Sequence, residues 1–327
     1  MDGRIDRNLR AVALIVSSVF LLSAVDAAVK AVAADYSLWQ VYAVRSAFSI
    51  PVLLVLLAVG GAGRALRILR PWVVVRSLLM VAMWLAYYAP LPSIDLSVAA
   101  TAIYTAPLFI AMLSSLVAGE PVGPYRWAGI ALGFTGVLVI LRPGADDFSP
   151  LALLPVLAGL LYALSGIVTR TRCASEEALV LALGLHAGLL LMGIVGSVVI
   201  ALVQPVPTDR FLLGGWSAMT EKDWLILAGL GLVMVVVATC TARAYQIGAP
   251  AVVATFDYSY LVFATLWGIL FFSEALDATT AAGIVLIVVA GLFVLRRPQV
   301  ADPVAPQVAD PVAPKVADPV APRAAKE

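Results

Sequence analysis

Residues 251–272 read AVVATFDYSYLVFATLWGILFF. The run is apolar and long enough to cross a bilayer as a helix, which takes about 20 residues. It holds one carboxylate, Asp257, flanked by Phe256, Tyr258, Ser259 and Tyr260. A charge in hydrocarbon costs roughly 3 kcal/mol or more, so such a residue faces a protein interior or a wet cavity. The run also has a twin in residues 97–118, SVAATAIYTAPLFIAMLSSLVA. A shift of 154 positions lays Glu120 on Glu274, Gly129 on Gly283, Thr101 on Thr255, Tyr104 on Tyr258 and Arg142 on Arg296. Two related halves, with a buried charge in one of the paired helices, point to a transporter.

The rest of the chain agrees with a bilayer as its solvent. Of its 327 residues 62% are hydrophobic and 13% charged, and the mean hydropathy is +1.02, outside the range of water-soluble domains. A net charge of +1 gives no reason to expect a nucleic-acid partner. The two cysteines, Cys173 and Cys240, lie on separate hydrophobic segments and are expected to be free thiols. His186 is the only histidine, which leaves little room for a histidine-based metal site or catalytic triad, and neither cofactor nor metal is expected. The chain contains no Ser-x-x-Lys, Gly-x-Ser-x-Gly, His-Glu-x-x-His or P-loop pattern, which argues against a membrane enzyme. No ring of repeated polar residues marks one level of a passive channel.

Ten spans can be drawn, at about 10–34, 37–60, 72–93, 96–118, 125–141, 151–169, 178–203, 223–245, 251–272 and 278–295. The first apolar run continues to Ala34, too long for a signal-peptide core. Arg4, Arg7, Arg10, Arg64, Arg67, Arg70, Arg76, Arg126, Arg170, Arg172, Arg243, Arg296 and Arg297 fall on one side of these spans, and only Arg142, Arg210 and Lys222 on the other. The positive-inside rule then puts both termini in the cytoplasm. The expected fold is all-α and integral to the membrane: ten helices as two inverted five-helix repeats, residues 10–143 and 150–298, around a central cavity. Gly129, Gly133 and Gly136 in span five, with Ala282, Gly283, Ala290 and Gly291 in span ten, read as close helix packing. Residues 299–327 carry three near-identical octads, VADPVAPQ, VADPVAPK and VADPVAPR, whose prolines favour an extended, disordered tail.

Charges inside the spans mark candidate site residues. At 1.5 Å per residue, Asp26 in span one and Arg45 in span two both lie roughly 12 Å below the outer surface. They could form an ion pair, either as a brace between the two spans or as a charged wall of the cavity. Lys30 stands one turn from Asp26 on the same face. Asp257 lies about 9 Å in from the cytoplasmic end of span nine. It could pair with Arg243, contact a ligand or carry a proton. Trp84, Tyr87, Tyr88, Tyr104, Tyr162, Tyr258, Tyr260 and Trp267 could together line a cavity for a planar or aromatic solute. Pro107 removes a backbone hydrogen bond within span four and is expected to kink it. Glu120 and Glu274 are expected to hold loop backbone at helix ends.

The doubled pattern resembles a known family. An apolar helix ends in Gly119-Glu120 or Ser273-Glu274, and a glycine-containing helix then ends at Arg142-Pro143 or Arg296-Arg297. This is similar to the two EamA domains of the drug/metabolite transporter superfamily, over residues 10–297. Four details resemble its riboflavin- and S-adenosylmethionine-type branch: Asp26-x-x-x-Lys30; Gln40 followed by Arg45; Ala100-Thr101-Ala102-Ile103 leading to Thr105-Ala106-Pro107-Leu108-Phe109; and Phe256-Asp257-Tyr258-Ser259. The resemblance implies ten helices, a central cavity between the repeats, and spans 3–4 and 8–9 as moving elements. It implies a secondary transporter of a small organic metabolite (vitamin-like, nucleoside-like or amino-acid-derived) in a bacterial-type plasma membrane. An amino-acid or drug exporter of the same fold is the alternative. The partners are then a small-molecule substrate and the lipid bilayer, the chain being monomeric or homodimeric. The cavity residues on this reading are Asp26, Lys30, Arg45, Trp84, Tyr87, Tyr88, Tyr104, Thr105, Tyr162, Asp257 and Tyr258, with Pro107 as the kink. Leu261 stands where Pro107 stands in the first half, so the two paired helices are expected to bend differently.

Overall fold

The computed structural model describes residues 2–32, 35–59, 61–90, 102–116, 123–141, 151, 153–204, 210–272 and 278–295. The octad repeats, Glu120, Glu274 and Arg142 lie outside these residues, as does the side chain of Lys30. All regular structure among the described residues is helical. The helices are α1 (Asp2–Val32), α2 (Leu38–Ala58), α3 (Pro71–Tyr88), α4 (Ala106–Leu116), α5 (Pro124–Leu141), α6 (Leu153–Thr171), α7 (Ala178–Val203), α8 (Glu221–Ile247), α9 (Pro250–Asp257), α10 (Ser259–Phe272) and α11 (Ala278–Leu295). A 3-10 helix, Ala62–Leu69, and a single turn, Arg210–Leu213, sit in two of the connections. Six helices (α1, α2, α3, α6, α7 and α8) are long and apolar enough to cross a membrane by length and composition.

Local chemistry sets several boundaries. Ser37 caps α2, its hydroxyl accepting from the Gln40 amide. Pro71 and Pro250 begin α3 and α9, where a missing N–H costs nothing. Thr220 and Asp223 form a capping box at the start of α8.

Small residues decide how closely the helices approach. A Cβ on Gly193 of α7 would lie 2.6 Å from the Trp39 carbonyl of α2, and one on Gly231 of α8 2.5 Å from the Arg45 carbonyl. A Cβ on Gly136 of α5 would lie 2.8 Å from the Gly283 carbonyl of α11, and one on Gly133 2.8 Å from the Tyr258 ring. The small-residue stripe of span five is therefore a packing surface. The main helix contacts join α5 with α11, α2 with α7, α1 with α8 and α10, α3 with α6 and α7, α4 with α6, and α2 with α8. The largest apolar core runs among α2, α3, α7 and α8.

The paired stretches both break, contrary to the expectation drawn from Leu261. Residues 251–272 form two helices that meet at Tyr258, and α4 begins only after a turn at Tyr104 and Thr105. Proline is not what the two interruptions share. Thr105 Oγ1 donates to the Ala102 carbonyl at 2.7 Å, and Ser259 Oγ to the Phe256 carbonyl at 2.6 Å. A hydroxyl that hydrogen-bonds the carbonyl three residues back competes with the helix for that acceptor. Thr105 and Ser259 are themselves related by the shift of 154.

Candidate functional site: a central cavity with two carboxylates

A cavity opens among α1, α3, the turn before α4, and α6 to α10. Asp26, Trp84, Tyr87, Tyr104, Tyr162, Asp257, Tyr260 and Pro107 line it, together with apolar Val19, Leu22, Met80, Met83, Ile103, Leu185, Met234 and Val237. Arg76 also contributes to the wall. Sequence reasoning used that residue only as a topological marker. Its position inside α3, past the first turn, was the available signal.

Asp26 is the most heavily bonded group in this wall. Tyr88 Oη donates to its Oδ1 at 3.1 Å, and Tyr260 Oη to its Oδ2 at 2.8 Å. One carboxylate thus ties α1 to the end of α3 and to α10. Trp267 Nε1 donates to Ser23 Oγ at 2.9 Å one turn earlier on α1, and the Phe20 ring meets Phe263 edge-on at 5.1 Å. The Asp26–Arg45 ion pair weighed from sequence is not formed; each Asp26 oxygen accepts from a phenol instead. Arg45 is 1% exposed, with its guanidinium carbon 5.8 Å from the Tyr42 ring centroid and both Nε and Nη2 lacking an acceptor.

Asp257, the last residue of α9, lines the same cavity as Tyr162 of α6. It does not pair with Arg243, which donates to Gln246 Oε1 at 3.4 Å. Tyr162 in turn meets Tyr245 edge-on at 5.9 Å. The two halves touch at the breaks: Tyr104 stacks on Tyr258 at 5.9 Å and lies 5.7 Å from Tyr260.

Four of the sequence candidates stand behind the cavity wall. Tyr258 is fully buried against Gly133 and Tyr104. Thr105 bonds its own turn. Tyr88 reaches Asp26 from the end of α3, stacking on Trp84 at 5.4 Å, and Arg45 is enclosed between α2 and α8. His186 is fully buried on α7, away from the cavity.

Each side of the bundle has its own polar ties. Gln40 exchanges two hydrogen bonds with the Ser217 backbone, at 2.8 and 2.9 Å, and Trp39 Nε1 donates to the Leu212 carbonyl at 2.7 Å. At the other end of α2 the 3-10 helix contributes Arg64 and Arg67 to Glu177, at 3.1 and 3.4 Å, and Arg70 pairs with Glu176. Gln246 Nε2 donates to the carbonyls of Cys173 and Glu176 at 2.8 and 2.6 Å.

Known proteins resemble this chain. The model of the EamA-like transporter family matches residues 9–142. A riboflavin transporter of Rhizobium johnstonii is 34% identical over 264 residues, covering 80% of this chain and 81% of that protein. The chain belongs to the EamA-like transporter family. This is the family, within the drug/metabolite transporter superfamily, that the sequence resembles. An S-adenosylmethionine uptake transporter of Rickettsia prowazekii is 26% identical over 84% of this chain and 90% of that protein. A crystal structure at 20% identity superposes with a TM-score of 0.73, covering 88% of this chain and 99% of that one, which speaks for the fold alone. As an EamA-like protein the chain is a multi-pass membrane transporter of small molecules, not an enzyme.

Proposed function

We propose that the protein is a secondary transporter that moves a small organic metabolite across the cytoplasmic membrane by alternating access. The central cavity is the proposed solute site. The observation that carries this is Asp26, a carboxylate inside a membrane bundle that lines the cavity while holding Tyr88 and Tyr260 on two other helices. A solute that displaced either phenol would loosen α3 or α10 from α1. That couples occupancy to helix position through differential contacts, as any ligand-driven change requires.

The proposed architecture is ten spans in two inverted five-helix repeats with cytoplasmic termini. The main helix contacts support it, because the largest of them map onto one another when the halves are exchanged. The contact of α1 with α8 becomes that of α6 with α3, and α1 with α10 becomes α6 with α4. The pairs α2–α7 and α5–α11 map onto themselves. The breaks at Tyr104–Thr105 and Tyr258 are placed to act as hinges in the moving spans. A monomer or homodimer is proposed as the working unit.

Riboflavin is the first solute to test and S-adenosylmethionine the second, from the names of the relatives. Purified protein in proteoliposomes should give saturable uptake or efflux that an excess of unlabelled solute suppresses. Flux that rises linearly with concentration and shows no competition would sink the carrier mechanism.

A further inference from the structure

The wall of the cavity is unevenly satisfied. The Asp26 carboxylate has donors in Tyr88 and Tyr260. Among the lining residues, the buried side-chain atoms left without a partner are two N–H groups, Nε of Arg76 and Nε1 of Trp84. These residues are only 2% and 7% exposed. Both stand on α3, about 12 Å apart along its axis at 1.5 Å per residue, with Met80 and Met83 between them on the lining face. Neither side chain is free to turn away. Arg76 Nη1 donates to the Leu181 carbonyl at 3.0 Å, and the Trp84 ring stacks on Tyr88 at an interplanar angle of 14°. A buried donor without an acceptor bears its full desolvation cost. These two donors therefore call for acceptors that the wall itself does not bring to them.

We propose that Arg76 and Trp84 form a donor stripe on α3 that selects the transported solute by its hydrogen-bond acceptors. An anionic or carbonyl oxygen binds at Arg76, a second acceptor at Trp84, and an apolar planar body spans the methionines between them. Arg76 and Trp84 are thus specificity-determining residues, and the site favours acids and carbonyl compounds over amines. This rests on the proposed role of the cavity as the solute site.

The test uses the purified full chain and three probes that share one planar body: naphthylacetate, naphthylacetamide and naphthylethylamine. Thermal unfolding is followed as each is titrated, since a ligand of the folded state raises the midpoint. The acid and the amide should stabilise the protein, and the acid should bind roughly ten-fold or more tightly than the amine, as expected for one charge-assisted hydrogen bond. Arg76→Gln should remove the advantage of acid over amide, which also tells an anionic from a carbonyl requirement. Trp84→Phe keeps an aromatic ring beside Tyr88 while removing the indole N–H together with part of the ring, and should weaken acid and amide alike but leave the amine unchanged. If Arg76→Gln does not fold, Arg76→Lys retains the charge without the Nε–H, and Trp84→Phe carries the test independently. The proposal is overturned if the amine binds best, if the variants leave the order of the probes unchanged, or if none of the probes shifts the midpoint. In each of those cases competable transport by wild-type proteoliposomes would leave the carrier reading intact. The donor order persisting without any such transport would remove the carrier reading instead.

Discussion

Asp26 shows what one side chain does in a medium without water. Its oxygens accept from phenols on two other helices, and hydrogen bonds to a charged group are worth about 1.5–3 kcal/mol each. Tyr88→Phe and Tyr260→Phe should each lower stability by roughly 1–3 kcal/mol, read as a lower thermal midpoint, with non-additive loss in the double variant because they share one acceptor. The charge swap Asp26→Arg with Arg45→Asp should restore nothing, since the two residues are not paired; recovery of transport in the swap would reinstate the ion pair. Asp257→Asn keeps the size of the side chain and removes its charge. It should leave the protein folded in the membrane and cut transport. Wild-type transport at every pH in a stable Asp257→Asn protein would take Asp257 out of the site. Cys173, just past the end of α6, is fully buried, and burial pushes its thiol up to about 11. The thiolate is the nucleophile, so iodoacetamide should spare Cys173 at neutral pH and react increasingly as pH rises toward that value. Fast labelling of folded protein at neutral pH would mean the inner end of α6 is open.

At the scale of elements, the two helix breaks matter most. Residues 251–272 have the length and hydrophobicity of one continuous helix, and at the break at Tyr258 the Ser259 hydroxyl donates to the Phe256 carbonyl. Ser259→Ala frees that carbonyl for the helix. Thermal stability should hold or rise by a few tenths of a kcal/mol, while transport falls because the hinge stiffens. A clear loss of stability with transport intact would make the break structural only. The α5–α11 contact gives a second test. The Cβ of Gly136→Ala meets a backbone carbonyl at 2.8 Å, which cannot rotate aside, and overpacking of this kind costs about 1–3 kcal/mol. The same substitution at Gly133 meets the Tyr258 ring at 2.8 Å. It should displace a side chain that abuts the cavity-lining Tyr104, so its effect should be larger on transport than that of Gly136→Ala.

For the whole molecule, topology is the claim on which the rest depends. Arg64, Arg67 and Arg70 cluster at one end of α2, and their acidic partners Glu176 and Glu177 lie between α6 and α7. This places the α2–α3 and α6–α7 connections on one side, where the positive-inside rule predicts cytoplasm. Reporter fusions at Glu327 and near Ala145 should report opposite sides. Both on one side would end the inverted-repeat reading. The helix contacts have a mechanical consequence: α1 packs on α8 and α10, and α6 on α3 and α4, so a tilt of one set of helices is felt by the other.

Much of this was determined along the chain itself. Apolar runs long enough for a bilayer, the shift of 154 along the sequence and the asymmetry of arginines are local or periodic properties, and they point to a membrane protein, to the family and to a carboxylate inside an apolar run. Which groups meet was decided only by the tertiary structure. Depth along an axis placed Asp26 and Arg45 at one level, but helix rotation gave both Asp26 oxygens to tyrosines from helices remote in sequence. Rotation likewise turned Arg76 into the cavity wall and Tyr258 into a buried stack. Hydrophobic periodicity is weak in a helix apolar on every side, so it carries little information about facing. The facing came instead from close approach at Gly193, Gly231, Gly133 and Gly136, contacts between residues far apart in the chain.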